Sequence, residues 1–121
     1  MVISGERIRS LIQEKKIVVV PDPEIKSASF KLHVADTLTL KPKSFNLAKT
    51  LESITLCEGV IGLYDGYAKL SQRGVMTHLG SMLCDSDTNG VVTLEIFNAT
   101  DNEIVLEKGE RCGQLILMEV K

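Results

Sequence analysis

Residues 84–97 read Cys84-Asp-Ser-Asp-Thr-Asn-Gly-Val-Val-Thr-Leu-Glu-Ile-Phe97, a polar loop closed by Asn-Gly and followed by a β-branched, apolar run. Asn-Gly ahead of such a run is the strongest short hairpin signal, because both residues tolerate positive φ. Val91 to Phe97 reads as the longest strand of the chain. Alternation puts Val92, Leu94 and Ile96 on one face, and Val91, Thr93, Glu95 and Phe97 on the other.

The same pattern extends in both directions. Ile17 to Val20 is a β-branched run stopped by Pro21-Asp22-Pro23. Phe30, Leu32 and Val34 alternate with Lys31 and His33; Leu38 and Leu40 follow, ahead of a turn at Lys41-Pro42-Lys43. Val60 to Leu63 is apolar and is broken by Asp65-Gly66. Thr100-Asp101-Asn102 is a turn, Ile104 to Leu106 leads to a second at Lys108-Gly109, and Cys112 to Val120 is the last strand. Many short strands at intervals of roughly 8–12 residues predict a sandwich or closed barrel. Only residues 1–16 read as helix. Ser4 is its N-cap, Ile8, Leu11 and Ile12 form a narrow apolar stripe, and Lys15 and Lys16 favour its negative end. The expectation is a mainly β fold with one N-terminal helix.

Composition bounds the function. With 121 residues, the chain is expected to form one domain, residues 1–121. Hydrophobic residues at 44% and charged residues at 25% are globular values, which exclude intrinsic disorder. Fourteen basic against 16 acidic residues leave no nucleic-acid footprint, and 4% aromatic content without Trp argues against a base-stacking platform. No apolar run approaches the ~18 residues of a membrane span, and the N-terminus lacks a signal-peptide pattern. Cys57, Cys84 and Cys112, odd in number and widely spaced, read as reduced, mostly buried thiols of a cytoplasmic protein.

Several chemistries are absent. There is no phosphate-loop signature, no GxGxxG turn, no GxSxG elbow and no zinc-deaminase signature. His33 and His78 each stand alone, so no metal site is expected. Three features remain. Glu95 lies mid-strand among apolar neighbours, where a carboxylate is costly unless solvated or paired; it is either solvent-facing or a general base. The loop from Cys84 to Gly90 carries Asp85. Gly109-Glu-Arg-Cys-Gly-Gln-Leu115 reads as a turn feeding a strand.

Together these residues resemble the dCTP deaminase branch of the dUTPase superfamily over nearly the whole chain. Met1-Val-Ile-Ser-Gly-Glu-Arg-Ile-Arg-Ser-Leu-Ile12 is similar to that family's N-terminal helix. Leu40-Lys-Pro-Lys-Ser-Phe-Asn-Leu-Ala-Lys-Thr-Leu-Glu52 resembles its "LKPGEFVLGxTLE" segment, and residues 109–115 its "GxRxxQL" motif. Glu95, in Thr93-Leu-Glu-Ile-Phe-Asn98, falls on the catalytic glutamate of "LExxN", and Asp85 on an aspartate that helps activate water in dUTPases. The resemblance implies a distorted β-barrel or jelly-roll subunit, a homotrimer, and nucleotide sites between subunits. It implies no resident cofactor, with Mg2+ entering only on a bound triphosphate.

The departures bear on activity. The family's phosphate motif, Gly-Arg-Ser-Ser-Leu-Ala-Arg-Leu-Gly, aligns with Gly66-Tyr-Ala-Lys-Leu-Ser-Gln-Arg-Gly74. Tyr67 replaces the first Arg, Ala68 the catalytic Ser, Lys69 the second Ser and Gln72 the second Arg. Lys31 stands for the Asp of the first motif, and Thr88 for the Tyr that stacks under the sugar in dUTPases. The family's C-terminal lid is not found before Lys121. Each lost donor typically costs about 2.7–4 kcal/mol of barrier.

Lys69, Gln72, Arg73 and Gln114 remain as candidate nucleotide- or phosphate-binding residues, with Arg111 an alternative structural residue paired to an acid near a trimer axis. The first reading is a non-catalytic homotrimer binding a nucleotide, a nucleotide-derived signal or a protein partner in remodelled pockets. The alternatives are a dCTP deaminase or dUTP diphosphatase with an altered site using Glu95 or Asp85, and an assembly subunit without a ligand.

Overall fold

The computed structural model describes residues 1–121. Helix α1 (Gly5–Gln13) opens at Ser4, whose hydroxyl accepts the backbone N–H of Arg7 at 3.1 Å. The helix is shorter than the sequence suggests. Lys15 adopts φ 58°, so Lys15 and Lys16 lie past its end and not in its last turn. Ile8 and Leu11 are buried from it, as expected of the stripe. Gly5 lies against the backbone, where a Cβ would stand 1.9 Å from the Lys26 carbonyl oxygen.

Ten strands follow: β1 (Val18–Val20), β2 (Phe30–His33), β3 (Leu38–Leu40), β4 (Phe45–Thr55), β5 (Val60–Gly66), β6 (Val75–Met76), β7 (Leu83–Cys84), β8 (Asn89–Asn98), β9 (Ile104–Leu106) and β10 (Arg111–Glu119). They form an antiparallel sheet β1-β4-β8-β6, a second β2-β10-β5-β7, and a two-stranded β3-β9 pair. Both larger sheets and α1 contribute to one core, including Ile54, Leu94 and Ile96 from the first sheet and Phe30, Leu32 and Leu115 from the second. No sheet closes on itself; the architecture is the distorted barrel or jelly-roll type that the resemblance implies.

Three readings of the sequence need correction. The longest strand is β4, with 11 residues against 10 in β8. Its pattern is inverted: Phe45, Leu47 and Leu51 point outward while Thr50 and Glu52 are buried, so alternation of apolar and polar residues hides it. Asp65-Gly66 does not break β5, because both residues pair with β10 opposite Gln114 and Gly113. Finally, α1 is not the sole helix. Residues of the phosphate-motif segment form α2 (Ala68–Gln72), too short to show a helical period, and Gly74 at φ +84° ends it.

The inverted strand is held by specific partners. Glu52 is 3% exposed; its Oε1 accepts the His33 backbone N–H at 2.9 Å, and its Oε2 lies 2.5 Å from His33 Nδ1. This joins β4 of one sheet to β2 of the other. Thr50 Oγ1 accepts from Val92 N–H at 2.9 Å, next to the register shift between Lys49 and Ser53 in the β4–β8 pair. Asn98 is buried and accepts from Thr100 N–H at 3.0 Å while donating to the Leu40 carbonyl at 3.1 Å, fixing the turn at 100–102.

The sheets also meet at one polar crossing. The Tyr64 hydroxyl donates to Thr77 Oγ1 at 2.9 Å, and Thr77 donates to the Cys112 carbonyl at 3.2 Å. Gly113 makes the approach possible, since a Cβ there would stand 2.4 Å from the Asp65 carbonyl oxygen and 2.5 Å from the Tyr64 hydroxyl. Gly113→Ala therefore lowers stability by about 1–3 kcal/mol or more, the usual cost of overpacking, read as a fall in Tm. Burial pushes the Cys112 thiol up to about 12. The unfolded thiol ionises first, so stability falls as pH rises from 9.0 towards about 12. Denaturant titrations across that range show this slope, and Cys112→Ala makes it shallower, the buried Tyr64 and Cys84, also raised by burial, supplying the remainder.

Candidate functional site

Two clefts lie on either side of the segment that follows β6. The larger, about 950 Å³, has β5, the start of α2 and β10 in its wall, with Asp65, Tyr67, Ala68, Arg111 and Gln114. The smaller, about 340 Å³, lies between β7 and β8 and includes Glu95, Thr88 and Cys84. The hairpin expected ahead of Val91 does not form: β7 pairs with β5 in the other sheet, and Asn89-Gly90 lies inside β8, paired opposite Thr55 and Ile54. Thr77 and His78 line both. The Tyr64–Thr77–Cys112 crossing thus sits in the partition between the clefts.

Glu95 lies on the outward face of β8, half-buried in the smaller cleft. Its Oε1 accepts the backbone N–H groups of Leu79 at 3.3 Å and Ser81 at 3.4 Å. Its face is not the core face, and its carboxylate lines a cleft. Cys84 lines the same cleft with its thiol raised by burial, and so is a poor nucleophile. Asp85 is exposed in the loop from β7 to β8, where its carbonyl accepts from Thr88 N–H at 3.0 Å, and it lines neither cleft. The fold therefore does not bring the two candidate catalytic carboxylates into one cavity.

The candidate binding residues also separate. Lys69 and Gln72 are exposed on α2, outside both walls. Arg73 caps α2 and pairs with Glu110 at 3.6 Å. Gln114 lines the larger cleft, but its amide is engaged within the chain. Nε2 donates to Asp65 Oδ2 at 2.6 Å and to the Gly66 carbonyl at 3.0 Å, and Oε1 accepts from Arg111 Nη2 at 2.8 Å. Arg111 forms no ion pair within the chain. Its guanidinium lies 4.3 Å over the Tyr67 ring, and its Nε is buried without a partner. Lys31 does not enter either cleft; it turns to Glu24 and its hydrogen bond holds that carboxyl below the usual carboxylate range. No cluster of three or more His, Cys, Asp or Glu side chains gathers at metal-binding spacing.

Residues 22–120 match the family model described as dCTP deaminase-like. The chain belongs to that family. Among curated relatives, the dUMP-forming dCTP deaminase of Methanoculleus marisnigri is 32% identical over 69% of this chain and 44% of its own length. The dCTP deaminase of Buchnera aphidicola is 38% identical over 63% of this chain and 39% of its own. The chain thus spans less than half the length of these deaminases. Among solved structures, the dUTPase of Staphylococcus bacteriophage 80alpha superposes with a TM-score of 0.75 at 20% identity, covering 88% of this chain and 92% of that one. That likeness concerns the fold.

Seen on this family's fold, the replaced motif residues have definite places. Tyr67 does not plug the larger cleft; it forms a wall and carries Arg111. Sequence reasoning missed Asp65, taken there for a strand breaker, and His78, read only as a histidine that stands alone. Neither sits in a motif; their roles in the walls come from the β5–β10 register and the segment after β6. Because Glu95 holds two loop N–H groups, Glu95→Ala should raise amide hydrogen-exchange rates at Leu79 and Ser81 while the β4–β8 amides stay protected. Equal protection of that loop in the variant contradicts the assignment.

Proposed function

We propose that the protein is a non-catalytic homotrimer of the dCTP deaminase-like fold that binds a nucleotide-derived ligand in remodelled clefts. The observation that carries this reading is the state of the larger cleft. Ala68, in its wall, offers no side-chain donor where the family motif has its catalytic Ser. The neighbouring Gln114 amide is committed to Asp65 and Arg111. Glu95 keeps a carboxylate in the smaller cleft, but a general base acts only with donors that stabilise the developing charge.

The trimer part of the proposal rests on an uncovered face. On the outer side of sheet β1-β4-β8-β6, Phe45 is 57% exposed and Leu47 66% exposed, with Val18, Val20 and Val91 also open. A sheet face this apolar is normally covered by a partner. Further copies of the chain packed around a common three-fold axis supply one.

Light scattering on purified protein is expected to give a trimer, and Leu47→Asp to shift it towards monomer. Incubation with a pyrimidine nucleotide and nucleoside panel, followed by mass spectrometry of bound and free fractions, is expected to recover bound compound unaltered. Multiple turnover to a uracil product or to pyrophosphate, lost in Glu95→Gln or Asp85→Asn, overturns the non-catalytic reading and makes the protein an altered deaminase or diphosphatase.

A further inference from the structure

β8 is paired along its full length on one side only. Its even-numbered residues turn their backbone groups to β4. Asn98 N–H donates to the Ser44 carbonyl at 3.2 Å, Val92 N–H donates to Thr50 Oγ1 at 2.9 Å, and the Thr88 carbonyl just before the strand accepts from Leu56 N–H at 3.0 Å. Backbone groups of successive strand residues point to opposite edges. The odd-numbered residues therefore turn theirs away from β4, as Ala99 does in donating to the Gly74 carbonyl at 2.9 Å. The neighbour on that side is β6, which reaches only Asn98 and Phe97. Beyond Met76 the chain leaves the sheet, because the buried Thr77 is tied to the Tyr64 hydroxyl and the Cys112 carbonyl. Val91, Thr93 and Glu95 are left with N–H and C=O groups that nothing else in the chain meets.

This open edge runs along the smaller cleft. On the opposite wall, Leu83 of edge strand β7 turns its own backbone groups away from β5, since Tyr64 N–H bonds the Met82 carbonyl at 2.8 Å and makes residues 82 and 84 the paired positions. The rim is apolar: Leu79, Met82, Leu83 and Val91 are between 43% and 49% exposed. The inward side has the buried Tyr64 and Leu94. The walls hold one carboxylate, Glu95, and no Lys or Arg. Glu95 Oε1 is taken by the Leu79 and Ser81 N–H groups, and Oε2 has no partner.

The spacing of the free groups selects the occupant. Donor–acceptor pairs on alternate residues repeat at about 6.8 Å, twice the rise of a strand. A compact small molecule meets one or two of them, whereas an extended chain has the same repeat and meets all three. Strand addition of this kind draws affinity from main-chain hydrogen bonds and specificity from alternate side chains. A residue opposite Glu95 shares its face, where a basic side chain complements the free carboxylate oxygen. The residues on either side of it point inward to Tyr64 and Leu94, where apolar side chains fit.

We propose that the smaller cleft is a strand-addition site: an extended segment of a partner protein, with a basic residue between apolar ones, pairs with β8 at Val91, Thr93 and Glu95. This goes beyond the ligand reading above. The larger cleft, on the other side of Thr77 and His78, keeps that role, so the two readings are tested apart.

The test uses the full chain and an end-capped, fluorescein-labelled peptide, Val-Lys-Val-Thr-Val-Thr, followed by anisotropy. Binding is expected, and N-methylation at the Lys and both Thr residues, whose N–H groups face β8, should abolish it, while N-methylation at the central Val costs far less. Thr93→Pro removes one edge donor without touching the β4 ladder and should weaken binding by about ten-fold or more. Circular dichroism checks the fold of that variant, and the methylated peptides give the same information if it fails to fold. Glu95→Gln should lose several-fold and most of the salt dependence. Amide exchange supplies the structural readout: Val91, Thr93 and Glu95 exchange faster than Leu94 and Ile96 in the free protein and slow when peptide is added. Three results overturn the proposal: no peptide binding, binding indifferent to N-methylation, or protection of the three edge amides that is already present without peptide and is lost on dilution, which assigns the edge to a second copy of the chain.

Discussion

The contact on which the rest of the molecule depends is the crossing of β5, β10 and the segment after β6 at Gly113. Three polar groups, the Tyr64 and Thr77 hydroxyls and the Cys112 carbonyl, satisfy one another there inside an apolar core. Buried polar groups are tolerated only when paired, and they pair only if the backbones come close. A glycine at residue 113 permits that approach. The same contact fixes the register that puts Asp65 opposite Gln114, and it places Thr77 and His78 in the partition between two clefts. Core packing and site geometry are therefore set by one feature.

A second constraint concerns where charge is allowed. The chain buries Glu52 and meets the cost with His33, tying one sheet to the other. It turns Lys31 to Glu24 instead of into a cleft. In the larger cleft it sets Arg111 on Tyr67 and commits Gln114 to both neighbours. At each of these positions the substituted or retained polar group finds its partner within the same chain. This is why family membership and the proposed loss of turnover are compatible: the framework that makes the fold is separate from the few donors that make the chemistry.

How much of this was legible varies with how local the cause is. The helix cap at Ser4, the Phe30–Val34 alternation, the turn at Thr100-Asp101-Asn102 and the Val91–Phe97 strand were legible because each depends on neighbours in sequence; the hairpin turn expected at Asn89-Gly90 was not found, since those residues pair within β8. β4 was not, because its outward face is the apolar one. An alternation rule assumes that apolar means inward, and that fails where a face is left for another surface to cover. Helix α2 was invisible because five residues make barely more than one turn. The motif residues Glu95, Gln114 and Arg111 were identifiable in order. Their separation from Asp85, Lys69 and Arg73 was not, since it depends on which strand each motif joins.

The sequence by itself determined the mainly β class and the family to which the chain belongs, because these are properties of residue type and spacing along one chain. Only the tertiary structure decided that Asp85 and Glu95 occupy different surroundings, that Asp65 and His78 belong to the walls, and that Gln114 is already engaged. Those outcomes depend on the β5–β10 register and on distances between segments far apart in the chain. A one-residue change of register would exchange every inward side chain for an outward one while leaving the sequence pattern the same.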